Sequence, residues 1–117
     1  MKPLRHLLLA LFLLSPLATA ACSDEATCES LCSEAQAGSC TNISGDCGAF
    51  CGALLEVEGP AGCSSQYDAY QDCLQRGSNV CDVNCGGEEG ALSLCVGAFC
   101  LGNAADPNCQ TLVAGLQ

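Results

Sequence analysis

The sequence predicts an all-α fold: a small, disulfide-stapled bundle of about five short helices. Three observations carry this expectation. Apolar residues recur at helical spacing in five separate stretches, thirteen cysteines crowd the region from Cys22 to Cys109, and no stretch alternates convincingly as a strand does. Residues 1–21 read as a removable leader, so the folded unit is 22–117, one small domain of 96 residues in which about 14% are Cys.

The first stretch places Cys28, Leu31, Cys32 and Ala35 at i, i+3, i+4 and i+7, beginning near Asp24 and ending at Gly38. In the second, Ser44 can cap the helix. Cys47, Phe50, Cys51, Leu54 and Leu55 share its face, and Gly59-Pro60 stops it. The third has Ser65 and Asp68 at capping-box spacing, a stripe of Cys63, Tyr67, Tyr70, Cys73 and Leu74, and Gly77 at its end. The fourth starts at Glu88-Glu89, where negative charge suits a helix N-terminus; Ala91, Leu92, Cys95, Ala98 and Phe99 form its stripe, and it ends near Gly102. The fifth opens with Asp106-Pro107 as cap and first turn, then runs through Cys109, Leu112, Val113 and Leu116. Cysteine thus belongs to the apolar face of every helix.

That matters for stability, because the domain has only four aromatic residues (Phe50, Tyr67, Tyr70 and Phe99) and no Trp. A core this poor in large side chains needs covalent support. Cys28-x3-Cys32, Cys47-x3-Cys51 and Cys81-x3-Cys85 put two sulfurs one turn apart on one face. Sulfurs so placed are expected to reach across to a neighbouring helix rather than bond each other. The expected disulfide set is Cys28, Cys32, Cys40, Cys47, Cys51, Cys63, Cys73, Cys81, Cys85, Cys95, Cys100 and Cys109, with the pairing left open. The tetrad Gly-Ala-Phe-Cys occurs at 48–51 and again at 97–100, which a duplicated helical hairpin would explain.

The leader has a basic start (Lys2, Arg5), an apolar run from Leu7 to Leu14, and small residues at Ala18, Thr19, Ala20 and Ala21. Its apolar run is too short to span a bilayer. Ala18-Thr19-Ala20 fits an ordinary cleavage site before Ala21. Thr19-Ala20-Ala21-Cys22 also resembles the lipobox of bacterial lipoproteins, in which the Cys becomes the acylated first residue; Thr19 stands where that motif usually has an aliphatic residue. Thirteen cysteines in an oxidising compartment leave one unpaired. Lipidation of Cys22 resolves the parity, so Cys22 is the expected anchor to the membrane. Ser23 rather than Asp after it resembles the sorting rule for outer-membrane lipoproteins.

Composition then removes function classes. The domain keeps one base, Arg76, against thirteen acids, a net charge of −12. Phosphate neutralisation is out of reach, so no nucleic-acid partner is expected, and a cationic protein or ligand fits better. The acidity also opposes docking on anionic lipid. The single His lies in the leader, which removes Ser-His-Asp and Cys-His machinery and Cys/His zinc sites. No Cys-x2-Cys spacing occurs for thioredoxin-like or iron–sulfur chemistry, and no P-loop Lys remains. Glu56 with Glu58, and Glu88 with Glu89, are formal carboxylate pairs, but acid/base work needs a cleft to hold them. The protein is therefore expected to be non-catalytic and to need no cofactor or metal.

Asp82, Asn84, Gly86, Glu88 and Glu89 resemble the start of a calcium loop, yet its twelfth position is Ser93 rather than Glu, which favours a solvated turn. Asn42-Ile43-Ser44 matches a glycosylation sequon, meaningful only in a eukaryotic source. The Cys-x3-Cys helices resemble exported bacterial copper-storage bundles, which hold Cu(I) on inward thiolates. Short Gly-broken helices and the absence of mature His or Met depart from that family. Cys63-x9-Cys73 and Cys85-x9-Cys95 resemble the twin Cys-x9-Cys hairpin of mitochondrial intermembrane-space proteins, although the leader contradicts that pathway. Taken with Cys22 at the junction and the acidic domain, the chain resembles the small Cys-rich lipoproteins of gliding, predatory Gram-negative bacteria. That resemblance implies a cell-envelope location, outer membrane or surface, and a structural or recognition role. A soluble secreted effector or inhibitor is the alternative.

Overall fold

The structure is a computed structural model that describes residues 23–116. The leader at 1–21 and Cys22 lie outside the described residues. Among those described, the chain forms five α-helices and one 3-10 turn, with no strand. The helices are α1 (Ser23–Ala37), α2 (Cys47–Glu58), α3 (Ser64–Leu74), α4 (Gly86–Gly102) and α5 (Pro107–Gly115), with the 3-10 turn at Val80–Asp82 between α3 and α4. The all-α, disulfide-stapled bundle expected from the sequence is the fold observed.

Helix α1 carries Asp24 and Glu25 in its first turn, where the exposed N–H groups favour negative charge. It buries Cys28, Cys32 and Ala35 on one face. The chain leaves it through Ser39, which adopts φ 56°. The helix stops before Gly38 as expected, and Gly38 has a packing role as well: a Cβ there would run into the Cys81 sulfur. Its smallness lets the α1 terminus press against the 3-10 turn.

Helix α2 begins at Asp46, whose carboxylate accepts from Gly48 N–H at 2.7 Å and Ala49 N–H at 3.4 Å. Ser44 is therefore not the cap. Its own N–H instead donates to the carbonyl of Gly115 at 2.7 Å, fastening this loop to the end of α5. The capping box expected at Ser65 is also absent, since α3 starts from Cys63 without a side-chain cap and Ser65 pairs with Gln66. At α5 the expectation holds, because Asp106 accepts from Asn108 and Cys109 N–H with Pro107 in the first turn.

The helices pair as two antiparallel hairpins, α1 with α2 and α3 with α4, while α5 packs back along α2. Two disulfides nest inside each hairpin: Cys28–Cys51 and Cys32–Cys47 in the first, Cys63–Cys95 and Cys73–Cys85 in the second. Cys40–Cys81 ties the end of α1 to the 3-10 turn, and Cys100–Cys109 joins α4 to α5. The bonded residues stand 5.5–5.9 Å apart at Cα, the ordinary span of a disulfide.

Two cores result. Inside the first hairpin the four half-cystines Cys28, Cys32, Cys47 and Cys51 form a cluster of their own, with Ile43 packed against it. The larger core gathers Leu54, Val57, Tyr67, Leu92 and Leu112 around the buried Cys63 and Cys109. Sulfur therefore fills the volume that large aromatics occupy in most domains of this size.

Candidate functional site

All twelve cysteines of the expected disulfide set are bonded, and all within the chain. Cys28-x3-Cys32 and Cys47-x3-Cys51 behave as the spacing suggests, each sulfur crossing to the facing helix. Cys81-x3-Cys85 does not lie on one helix: Cys81 sits in the 3-10 turn and Cys85 is the residue before α4. Its members go to different partners, Cys40 and Cys73. With their sulfurs bonded in pairs, these residues offer no thiolate to a soft metal. Among the described residues no cluster of three His, Cys, Asp or Glu is arranged to hold an ion.

The other chemistry-bearing residues scatter. Asn84, from the calcium-like stretch, accepts from Gly86 N–H at 3.3 Å and so completes a turn into α4. Glu88 and Glu89 line different depressions, so they do not face a common substrate volume. Glu56 is exposed, whereas one carboxylate oxygen of Glu58 is buried without a hydrogen-bond partner.

Three carboxylates do converge. Asp24 of α1 meets Asp68 and Asp72 of α3, one turn apart, around a depression of about 500 Å³ floored by Tyr67 and Gln71. Tyr67 is only 4% exposed, and its hydroxyl has no hydrogen-bond partner. Burial, reinforced by Asp24, Glu58 and Asp68, pushes its pKa up to about 12. The phenol consequently stays a neutral donor beneath a rim of negative charge. Tyr70 is pushed up to about 12 as well, by burial and then by Glu89. It faces a separate cleft of about 170 Å³ at the seam of the hairpins, with Phe50, Leu54 and Leu112.

An apolar groove of about 870 Å³ runs between α4 and α5, which splay from the Cys100–Cys109 disulfide instead of packing along their length. Leu94, Leu101 and Val113 line it and are 78%, 87% and 57% exposed. The sequence pattern missed the two leucines. It selected Ala91, Leu92, Cys95, Ala98 and Phe99 as the stripe of α4, and of these Ala91 and Ala98 prove exposed. The available signal was that two leucines of α4 had no place on the stripe. Comparison of the chain with protein-family models, with curated proteins and with solved structures finds no match.

Proposed function

We propose that the protein is a non-catalytic recognition module of a bacterial cell envelope, anchored by acyl chains on Cys22 and presenting its acidic α1–α3 face to a cationic partner. The observation that carries the reading is the cysteine pairing. Twelve cysteines satisfy one another inside the domain, and the thirteenth, Cys22, directly precedes the first residue of α1. Lipidation gives that thiol a use and avoids a free thiol in an oxidising space. Six disulfides in so small a domain themselves fit an oxidising, extracytoplasmic compartment. Among the described residues no helix is long and apolar enough to cross a membrane, so attachment would come from the acyl chains.

The partner's charge follows from the −12 of the domain and from the Asp24, Asp68 and Asp72 depression, which suits ammonium or guanidinium groups. Intact mass of the protein from its host, under non-reducing and alkylating conditions, tests the anchor. The expected species begins at Cys22, carries acyl chains and takes up no alkylating reagent. A species beginning at Ala21 without lipid would remove the anchor and leave a secreted effector or inhibitor. Extensive alkylation with copper in the sample would instead favour thiol-based Cu(I) storage.

A further inference from the structure

We infer that the α4–α5 groove is the interface of a two-fold homodimer, in which α4 lies antiparallel against α4 of a second copy. This goes beyond the anchoring and partner reading and does not depend on it. Leu94 and Leu101 lie seven residues apart, so they share one line along α4, about 10 Å apart. Their midpoint falls between Gly97 and Ala98. A two-fold axis at that point sets Leu94 of one copy opposite Leu101 of the other, twice over, and the small Gly97 and Ala98 meet where the helices cross. A Cβ added at Gly97 would meet open space, so no other described residue occupies the crossing point. Such self-complementarity is what an isologous interface requires.

Area and charge favour the same occupant. Leu94, Leu101, Val113 and the adjoining Leu116 are the large exposed hydrophobics of the domain. Exposed to 78%, 87%, 57% and 53%, they leave most of four large apolar side chains uncovered in one region, and the flanking alanines and Gln110 carry the face towards the ~800 Å² per partner of a standard interface. From Gly90 to the end of the chain the only charged residue is Asp106, so −11 of the −12 of each copy comes from residues before Gly90. A cationic helix would find no carboxylate in the groove. The acidic Asp24, Asp68 and Asp72 line a separate depression, and none of them lines this groove.

The test uses the exported, fully oxidised protein with Cys22→Ser, so that neither an acyl chain nor a free thiol causes association. Sedimentation velocity between roughly 1 µM and 1 mM should show a monomer–dimer equilibrium with a Kd on the order of 10 µM. Leu94→Lys with Leu101→Lys should weaken it at least about a hundred-fold, while Leu94→Lys with Leu101→Glu should dimerise roughly ten-fold more tightly than the double lysine, because each Lys then faces a Glu. Both leucines are exposed in the monomer, so unchanged circular dichroism and absence of alkylatable thiols are expected in every variant. A monomer at all concentrations would overturn the inference. So would a dimer indifferent to these substitutions, a Lys/Glu variant no tighter than the double lysine, or a monomer that uses the leucines to bind phosphatidylcholine vesicles.

Discussion

Tyr67 and Tyr70 are the only tyrosines in the chain, and there is no tryptophan, so their ionisation can be followed directly by ultraviolet absorbance. Both are raised from 10.0 to about 12, chiefly by burial. A titration of the oxidised protein should therefore rise near pH 12, and the reduced, unfolded chain near pH 10. The sign for stability follows. Between those values the unfolded chain releases phenolic protons that the folded protein retains, so stability is fully present below pH 10 and is lost as pH climbs through about 12. Tyr67→Phe should flatten that alkaline loss; an unchanged pH profile would mean that Tyr67 is solvated after all. Gly115 offers a second residue-level test. A Cβ there would lie 2.7 Å from the Phe50 ring, where α5 closes on α2. Gly115→Ala should destabilise by about 1–3 kcal/mol through overpacking. Combining it with Phe50→Leu should recover part of the loss in thermal melts.

The disulfides act at the level of helices, and they are not equivalent. Each hairpin holds two nested bonds, so deleting one leaves its neighbour to keep the helices in register. Cys40–Cys81 has the longest separation, 41 residues, and links α1 to the turn that leads into the second hairpin. Beside it, the Val80 N–H donates to the Glu34 carboxylate at 2.7 Å. Cys40→Ser with Cys81→Ser should cost about 4 kcal/mol by chain entropy, against about 3 kcal/mol for the pair at Cys73 and Cys85. Hydrogen exchange should show the seam between hairpins opening while the hairpins stay protected; uniform loss of protection would contradict that division. Helix positions are legible in the sequence because cysteine marks the inner face of each. Caps are less legible, since Ser44 and Asp46 lie within two residues of each other and only the folded chain decides which one turns inward. Pairing is not legible at all. Periodicity tells which face a sulfur occupies but not which helix it meets, and twelve cysteines allow on the order of 10,000 pairings. The groove is hidden for a related reason: α4 is apolar nearly all round, so no polar face marks Leu94 and Leu101 as outward.

Across the whole molecule, twelve of the thirteen acids precede Gly90, which leaves α4 beyond its first turn and all of α5 nearly free of charge. Like charges gathered on part of a compact domain repel, and salt screens them over a Debye length of about 8 Å at physiological strength. Raising salt should accordingly raise Tm, whereas a fold held by surface ion pairs would lose stability. The greater dependence is on the disulfides. At about 2–4 kcal/mol each they contribute roughly as much as the entire net stability of an ordinary domain, so full reduction should abolish the helical signal. The path to that state is set by access. Cys40 is exposed and Cys81 half-buried, whereas Cys51 and Cys63 are fully buried. In graded reductant, peptide mapping of alkylated protein should find Cys40 and Cys81 modified first, with helicity nearly intact. The remaining five bonds should then open together, because exposing Cys51 or Cys63 requires a core to come apart. If alkylation instead began at Cys28, Cys51 or Cys63, the hairpins would be looser than their burial implies, and the claim that sulfur takes the place of an aromatic core would fail.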